Sequence, residues 1–222
     1  MSLDRLKTEL AIKLRSARAF KIRSESEDGK GFKLKKHRDN PELDLPLSPY
    51  YLNLRTSDNP KPGPLDETLV DLVAKVFAQK AKDCQLKFSH VCGIPNAATP
   101  YARQLARLSK KSTVQLKKIG DGFGDFAANW SPRESSALVI DDVITTGASK
   151  IPALKILTNA GFKIPAIVVL VDRQEGGREI LKNAGYRVEA IYTTTEITEI
   201  LAYLGGITKA EKKDILSYVQ NS

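Results

Sequence analysis

The sequence predicts an α/β protein, a parallel sheet flanked by helices and preceded by a small N-terminal subdomain. Two observations carry this. Between residues 87 and 203, short apolar runs alternate with helical patterns, the rhythm that produces parallel strands joined by crossover helices. Within that rhythm, four apolar residues at 137–140 lead into an acid pair, Asp141 and Asp142, and then into the small hydroxyl-rich turn Thr145, Thr146, Gly147, Ala148 and Ser149. A helical pattern of Ile151, Leu154 and Leu157 follows at once.

The elements are expected in the following order. Leu3, Leu6, Leu10, Ile12 and Leu14 approximate helical spacing over 3–17. Residues 24–49 are polar and broken by Gly29, Gly31, Pro41, Pro46 and Pro49, with a short strand at 31–35. Residues 50–55 alternate and predict a strand, and Asn59–Pro64 is a turn-rich link. A helix follows from Asp66, with Leu69, Leu72, Val73 and Val76 on one face. Then come strand 87–92, helix 97–108, strands 113–117 and 137–141, helix 148–160, strand 165–171, helix 176–184, strand 186–192 and helix 195–203. Residues 119–136 interrupt the rhythm with glycine, acids and the single tryptophan, Trp130. A loop of that length without apolar periodicity is expected to be a lid or a mobile segment.

Bulk properties narrow the function classes. At 222 residues, 41% apolar and 27% charged, the chain fits one domain, 1–222, with 1–64 as its N-terminal part and 65–222 as the α/β core. No run of 18 apolar residues and no signal peptide is visible, so no membrane partner is expected and the cytoplasm is the default location. Cys84 and Cys92 do not make a disulfide framework or a zinc site, and His37 and His90 are the only histidines. Acidic sites for magnesium remain. Net charge is +9, and residues 1–36 hold eleven Lys or Arg against five Asp or Glu, a surplus of six. This basic arm has two readings, a solvated amphipathic helix or a surface for polyanions. A nucleic-acid partner is disfavoured, because neither an aromatic RNA-binding signature nor a helix-turn-helix pattern accompanies it.

The acid pair and the hydroxyl turn carry the chemistry. Unpaired N–H groups at a helix N-terminus favour a phosphate, and in an open parallel sheet ligands bind at the carboxyl ends of strands. Ribose hydroxyls are suited to donate to the two acids. A second turn at the same sheet edge, Gly93, Ile94, Pro95, Asn96 and Ala97, opens another helix and is a candidate for a second anion. A third strand end delivers Asp172, Arg173 and Glu175; an Arg there suits a bidentate contact with a carboxylate.

The stretch Ala137–Ser149 closely resembles the 5-phosphoribosyl-1-pyrophosphate (PRPP) binding motif of type I phosphoribosyltransferases. Over nearly its whole length the chain resembles the orotate phosphoribosyltransferase family. Phe32–Lys35 is similar to that family's Phe-x-Leu-Lys segment. Leu47–Asn53 is similar to its Ser-Pro-aromatic segment, with residues 37–46 inserted between the two. Val91–Pro95 resembles its pyrophosphate loop. Asp172–Gly177 followed by Gly185–Val188 resembles its C-terminal signature, and Thr193–Leu201 its last helix. The resemblance implies a type I phosphoribosyltransferase fold with an N-terminal hood over 1–64, and a reaction of PRPP with orotate that gives orotidine 5'-monophosphate and pyrophosphate. It implies that Asp141 and Asp142 bind the ribose hydroxyls directly or through Mg²⁺, that Thr145–Ser149 cradle the 5-phosphate, and that Gly93–Ala97 face the pyrophosphate. Lys35, Thr145 and Arg173 are implied to contact the orotate ring or its carboxylate, and Tyr50 or Tyr51 to line the base pocket.

Two segments depart from the family pattern: the pyrophosphate loop, where Asn96 and Ala97 stand at positions that hold Tyr and Lys in some members, and, with more weight, the mobile loop. The family's mobile loop reads Arg-Lys-Glu-x-Lys-x-(His/Tyr)-Gly and serves the neighbouring subunit's site, which implies a homodimer. Here Lys117 and Lys118 replace the leading cations, Ile119 stands at the Glu position, Asp121 at the catalytic Lys and Phe123 at the His/Tyr position. Two unit charges ~4 Å apart at an effective dielectric near 20 interact by ~4 kcal/mol, so exchanging Lys for Asp replaces attraction to pyrophosphate by repulsion of similar size. Three readings therefore stand: this transferase with Lys117 and Lys118 as its loop cations, a transferase for another base, and a PRPP- or nucleotide-binding regulator that has lost turnover.

Overall fold

The computed structural model of the chain describes residues 2–119, 122–126 and 135–221. Helix α1 (Leu3–Ser16) starts where the Ser2 side chain accepts the Arg5 N–H, and it buries Leu6, Leu10, Ala11 and Leu14. Strands β1 (Phe20–Ile22) and β2 (Tyr50–Leu52) pair antiparallel into a two-stranded sheet. The strand expected at 31–35 is reduced to one bridge, Phe32 to Ser48, and the chain turns into a short helix α2 (Lys35–Asp39). His37 accounts for the difference. Its Nδ1 accepts the Leu34 N–H at 2.9 Å, which satisfies a helix-start donor that a strand would have paired elsewhere. Helix α3 (Glu67–Asp83) begins at Asp66, whose carboxylate accepts the Leu69 N–H at 2.8 Å.

The core continues as β3 (His90–Gly93), α4 (Thr99–Ser109), β4 (Ser112–Ile119), β5 (Gly122–Phe126), β6 (Ala137–Ile144), a 3-10 turn (Ala148–Lys150) leading into α5 (Ile151–Asn159), β7 (Ile167–Asp172), α6 (Gly177–Asn183), β8 (Val188–Thr193), α7 (Thr194–Tyr203) and α8 (Lys209–Gln220). The sheet order is β5-β4-β3-β6-β7-β8, with β4, β3, β6, β7 and β8 parallel and β5 antiparallel to β4. Alternation along β6 divides the apolar interior between the two faces of this sheet. Leu138 and Ile140 join the cluster built with α1, α3 and α4, while Ala137 and Val139 join the cluster built with α5.

Two further features depart from the expectation. Part of the segment 119–136 is the antiparallel strand β5, a hairpin partner of β4. Helix α8 was not anticipated, although Thr208 and Glu211 form a reciprocal capping box at its start. Among the described residues no helix is long and apolar enough to cross a membrane.

Candidate phosphate and base site

The strand order places the site. From β3 the chain moves outward to β4, then returns to the other side of β3 as β6 and continues to β7 and β8. The loops after β3 and β6 therefore leave adjacent parallel strands in opposite directions, and the crevice between them is where open α/β sheets bind ligands. Both candidate anion turns lie at this crevice. The first, Gly93–Ala97, is pinned by the Ile94 N–H donating to the Ile140 carbonyl at 2.9 Å. A Cβ at Gly93 would stand 2.5 Å from the Ala98 carbonyl oxygen, so only glycine lets this turn close. Ile94 is buried, Pro95 and Ala97 are half-buried, and Asn96 is exposed.

The second turn is made by backbone. Thr145, Thr146, Ala148 and Ser149 are exposed, and among the described residues no protein acceptor receives the N–H of Thr146, Gly147, Ala148 or Ser149. Gly147 has φ +71°, and a Cβ there would lie 2.7 Å from the Gly177 carbonyl oxygen. Gly177, the first residue of α6, is packed just as tightly against the Thr145 carbonyl. The two glycines thus fix the backbone of this turn, whose N–H groups have no protein acceptor among the described residues, at the start of a helix, an arrangement suited to an anion.

The acids lie deeper than expected. Strand β6 runs on to Ile144, so Asp141 and Asp142 sit within it and not beyond its end; Asp141 is level with Val169 and Ile144 with Asp172. Asp141 is 2% exposed, and its Oδ1 accepts the Asp142 N–H at 2.9 Å. Its Oδ2 is in ion-pair contact with Lys150 Nζ. Burial pushes the Asp141 carboxyl up to about 7, even with Lys150 drawing it down. Burial alone would lower Lys150, but Asp141 and Asp142 raise it above its ordinary value, so the lysine stays charged. Asp142 is half-buried; its Oδ1 accepts the Val143 N–H at 2.8 Å, and its carboxylate lies close enough to Asp141 and Lys150 to act on both.

Arg173 leaves β7 beside this crevice, its N–H bonded to the Ile144 carbonyl at 3.0 Å. Its side chain is buried in a cluster of its own. Nε donates to Glu175 Oε1 at 2.8 Å, Nη2 to Ser48 Oγ at 3.4 Å, and the guanidinium lies 4.3 Å from the centre of the Tyr50 ring. Burial raises the Tyr50 hydroxyl to about 12, and that hydroxyl pairs with Thr194 Oγ1 at 3.1 Å. Tyr51 is half-buried and stacks on Phe32, ring centres 5.6 Å apart, so of the two tyrosines it presents the accessible ring. Lys35 is exposed and points to Asp39 at 3.8 Å; its neighbour Lys36 reaches Glu175 Oε2 at 3.8 Å and lies over the Tyr218 ring at 5.0 Å.

The structure thus brings Asp141, Asp142, Thr145–Ser149, Gly93–Ala97 and Arg173 to the same edge of the adjacent strands β3, β6 and β7, and points Lys35 at Asp39. Lys117 is exposed near the end of β4. Lys118 and Phe123 are partners in the β4–β5 register, but their side chains, with Asp121 and Trp130, lie outside the described residues. Sequence reasoning missed Lys150, Lys36 and the α8 residue Tyr218. Lys150 had a signal: a lysine at a helix start opposes the dipole, so it calls for a carboxylate nearby. Among the described residues no cluster of three or more His, Cys, Asp or Glu is arranged to hold a metal.

Residues 65–196 match the family model described as phosphoribosyl transferase domain. An orotate phosphoribosyltransferase of Sulfurisphaera tokodaii is 31% identical over 176 residues, 78% of this chain and 85% of that protein. The uridine 5'-monophosphate synthase of Bos taurus is 29% identical over 184 residues; the match covers 79% of this chain and spans only 36% of that longer protein. The structure of Leishmania donovani UMP synthase superposes with TM-score 0.74 and 23% identity, covering 97% of this chain and 42% of that one.

Proposed function

Because this chain belongs to the phosphoribosyl transferase family and, within it, to the orotate phosphoribosyltransferases, we propose that it transfers the phosphoribosyl group of PRPP to orotate. The products are orotidine 5'-monophosphate and pyrophosphate, a step of pyrimidine nucleotide synthesis. The observation that carries this reading is the ring of unbonded N–H groups at 146–149, set at the switch point of the sheet beside a buried arginine. The ring takes the 5-phosphate, Asp142 accepts from a ribose hydroxyl, and Gly93–Ala97 receive the pyrophosphate. Arg173 reads the carboxylate of the base, and Tyr51 with Phe32 offers the base an aromatic face.

The chemistry then needs no covalent nucleophile from the protein. The bond from the ribosyl carbon to pyrophosphate breaks with its electron pair leaving on the pyrophosphate oxygen, and the ring nitrogen of orotate forms the new bond as its N–H proton passes to solvent or to the departing pyrophosphate. The protein aligns the partners and excludes water. Lys117 and Lys118 are the cations nearest the departing group by resemblance to the family's loop.

Phosphoribosyltransferases generally pair PRPP with Mg²⁺. The donor set fits a cation that arrives with its substrate: Asp142 is half-buried and, among the described residues, in no ion pair, and magnesium usually keeps water and phosphate oxygens beside one or two carboxylates. Bound there, the ion would neutralise charge on the pyrophosphate. We read 1–64 as a hood over the 65–222 core, and the active form as a homodimer, as the family's loop implies.

A PRPP-binding regulator without turnover is the second reading, favoured by Ile119, Asp121 and Phe123 in the loop. Pyrophosphate release from PRPP and Mg²⁺, followed with orotate, uracil and purine bases in parallel, tests the proposal. Release with orotate alone supports it; release with another base redirects it, and PRPP binding without release under any base favours the regulator.

A further inference from the structure

Lys150 closes the 3-10 turn after the phosphate ring and precedes α5. A cation at this end of a helix meets the positive end of the dipole, so the position is costly for lysine unless something compensates. The side chain is only 15% exposed, and it is turned inward against the Asp141 carboxylate. Both oxygens of Asp141 are therefore engaged, one by the Asp142 N–H and the other by the ammonium, with no further hydrogen bond on Oδ2 among the described residues. Asp142 differs: it is half-buried, and among the described residues no ion pair closes on it. With all three ionised, the two acids and the lysine carry one negative charge, not two.

A divalent cation drawn to both acids would have to approach the ammonium, and like charges repel strongly where water is scarce. We propose that Lys150 is a positioning residue that divides the acid pair, holding Asp141 as a fixed internal partner behind the phosphate ring and leaving Asp142 as the single carboxylate open to a ribose hydroxyl or a hydrated divalent cation. This deepens the transferase reading in its assignment of the ribose, but the division of the acids rests on the ion pair itself.

The test uses Mn²⁺ alone as the probe, followed by its electron paramagnetic resonance signal in the full chain without substrate. An absence of phosphoribosyl transfer therefore leaves the result standing. Lys150→Met frees the second acid and should tighten Mn²⁺ binding at least tenfold. Lys150→Arg should return it toward the wild-type value, and adding Asp141→Asn to Lys150→Met should remove the gain. A folded Lys150→Met protein with wild-type Mn²⁺ affinity overturns the proposal. Should Lys150→Met fail to fold, because it strands a buried carboxylate, two other variants decide. Asp142→Asn should weaken Mn²⁺ at least tenfold more than Asp141→Asn combined with Lys150→Met, in which both buried charges are gone. An equal or reversed loss overturns it.

Discussion

The phosphate turn and the Arg173 cluster lie on neighbouring strand ends, yet they are built from opposite materials. The turn is backbone: among the described residues its four N–H groups at 146–149 have no protein acceptor, and two glycines set their geometry. The cluster is side chain: Arg173 is already bonded to Glu175 and Ser48 and laid on Tyr50, and Lys36 stands on the far side of Glu175. The turn is ready for its ligand as it stands, and a carboxylate arriving at Arg173 must compete with Glu175. A preformed anion site gains affinity because nothing has to be reorganised, whereas a self-satisfied clamp gains selectivity at some loss of affinity.

The most disruptive change to this contrast is Gly147→Val. A β-branched residue is strained at φ +71°, and its Cβ would press on Gly177, so the ring would open. PRPP affinity by calorimetry should fall by at least about 100-fold, matching ~3 kcal/mol of strain and lost contacts. Unchanged affinity would take the turn out of the site.

Arg173→Ala should cost orotate about 1.5–3 kcal/mol, the range for a charge-assisted hydrogen bond, while PRPP affinity holds. Uracil, which lacks the carboxylate, is the control; an equal loss for both bases would assign Arg173 a purely structural role beneath Tyr50.

Glu175→Gln sharpens the comparison in the other direction. It weakens the internal competitor for the guanidinium, so orotate should bind about three- to tenfold more tightly, with no change for PRPP. Weaker orotate binding would mean that Glu175 supports the clamp by holding Arg173 in place.

The smallest effect lies outside both regions. Glu25 accepts the Ile22 N–H at 2.9 Å and Arg15 at 2.8 Å. Burial raises its carboxyl, but these partners outweigh burial and leave it below its ordinary 4.5. A lowered carboxyl stabilises the fold above about pH 4.5, and that contribution is lost as pH falls below it. Glu25→Gln should therefore lose about 1 kcal/mol or less at pH 6 in urea unfolding, and the difference from wild type should shrink at pH 3.5. A constant difference would remove the charge from the account.

The same contrast explains what could be read from the chain before its structure. The phosphate turn is local, so strand, acids, small residues and helix appear in order at 137–157, and the parallel sheet follows from the alternation of apolar runs. Arg173 was legible as a position but not as a partner, because Ser48, Tyr50 and Lys36 come from 123 or more residues earlier in the chain. The span of β6 was underestimated because acids usually end a buried strand, whereas here Lys150 and two backbone N–H groups satisfy them inside it. Phe32–Lys35 read as a strand because nothing in its own residues announces the His37 cap. Helix α8 carries its capping box in plain view at Thr208 and Glu211, but its mixed lysine-rich pattern masks the one fully buried residue, Ile215.

Separate calorimetric titrations of PRPP and of orotate into the protein test the central contrast most directly. The open turn and the occupied clamp predict that PRPP with Mg²⁺ binds without a base, and that orotate alone binds at least tenfold more weakly than it does once ribose 5-phosphate, which carries the phosphate but cannot react, is present. Tight binding of orotate alone, with no binding of PRPP in its absence, would contradict the account.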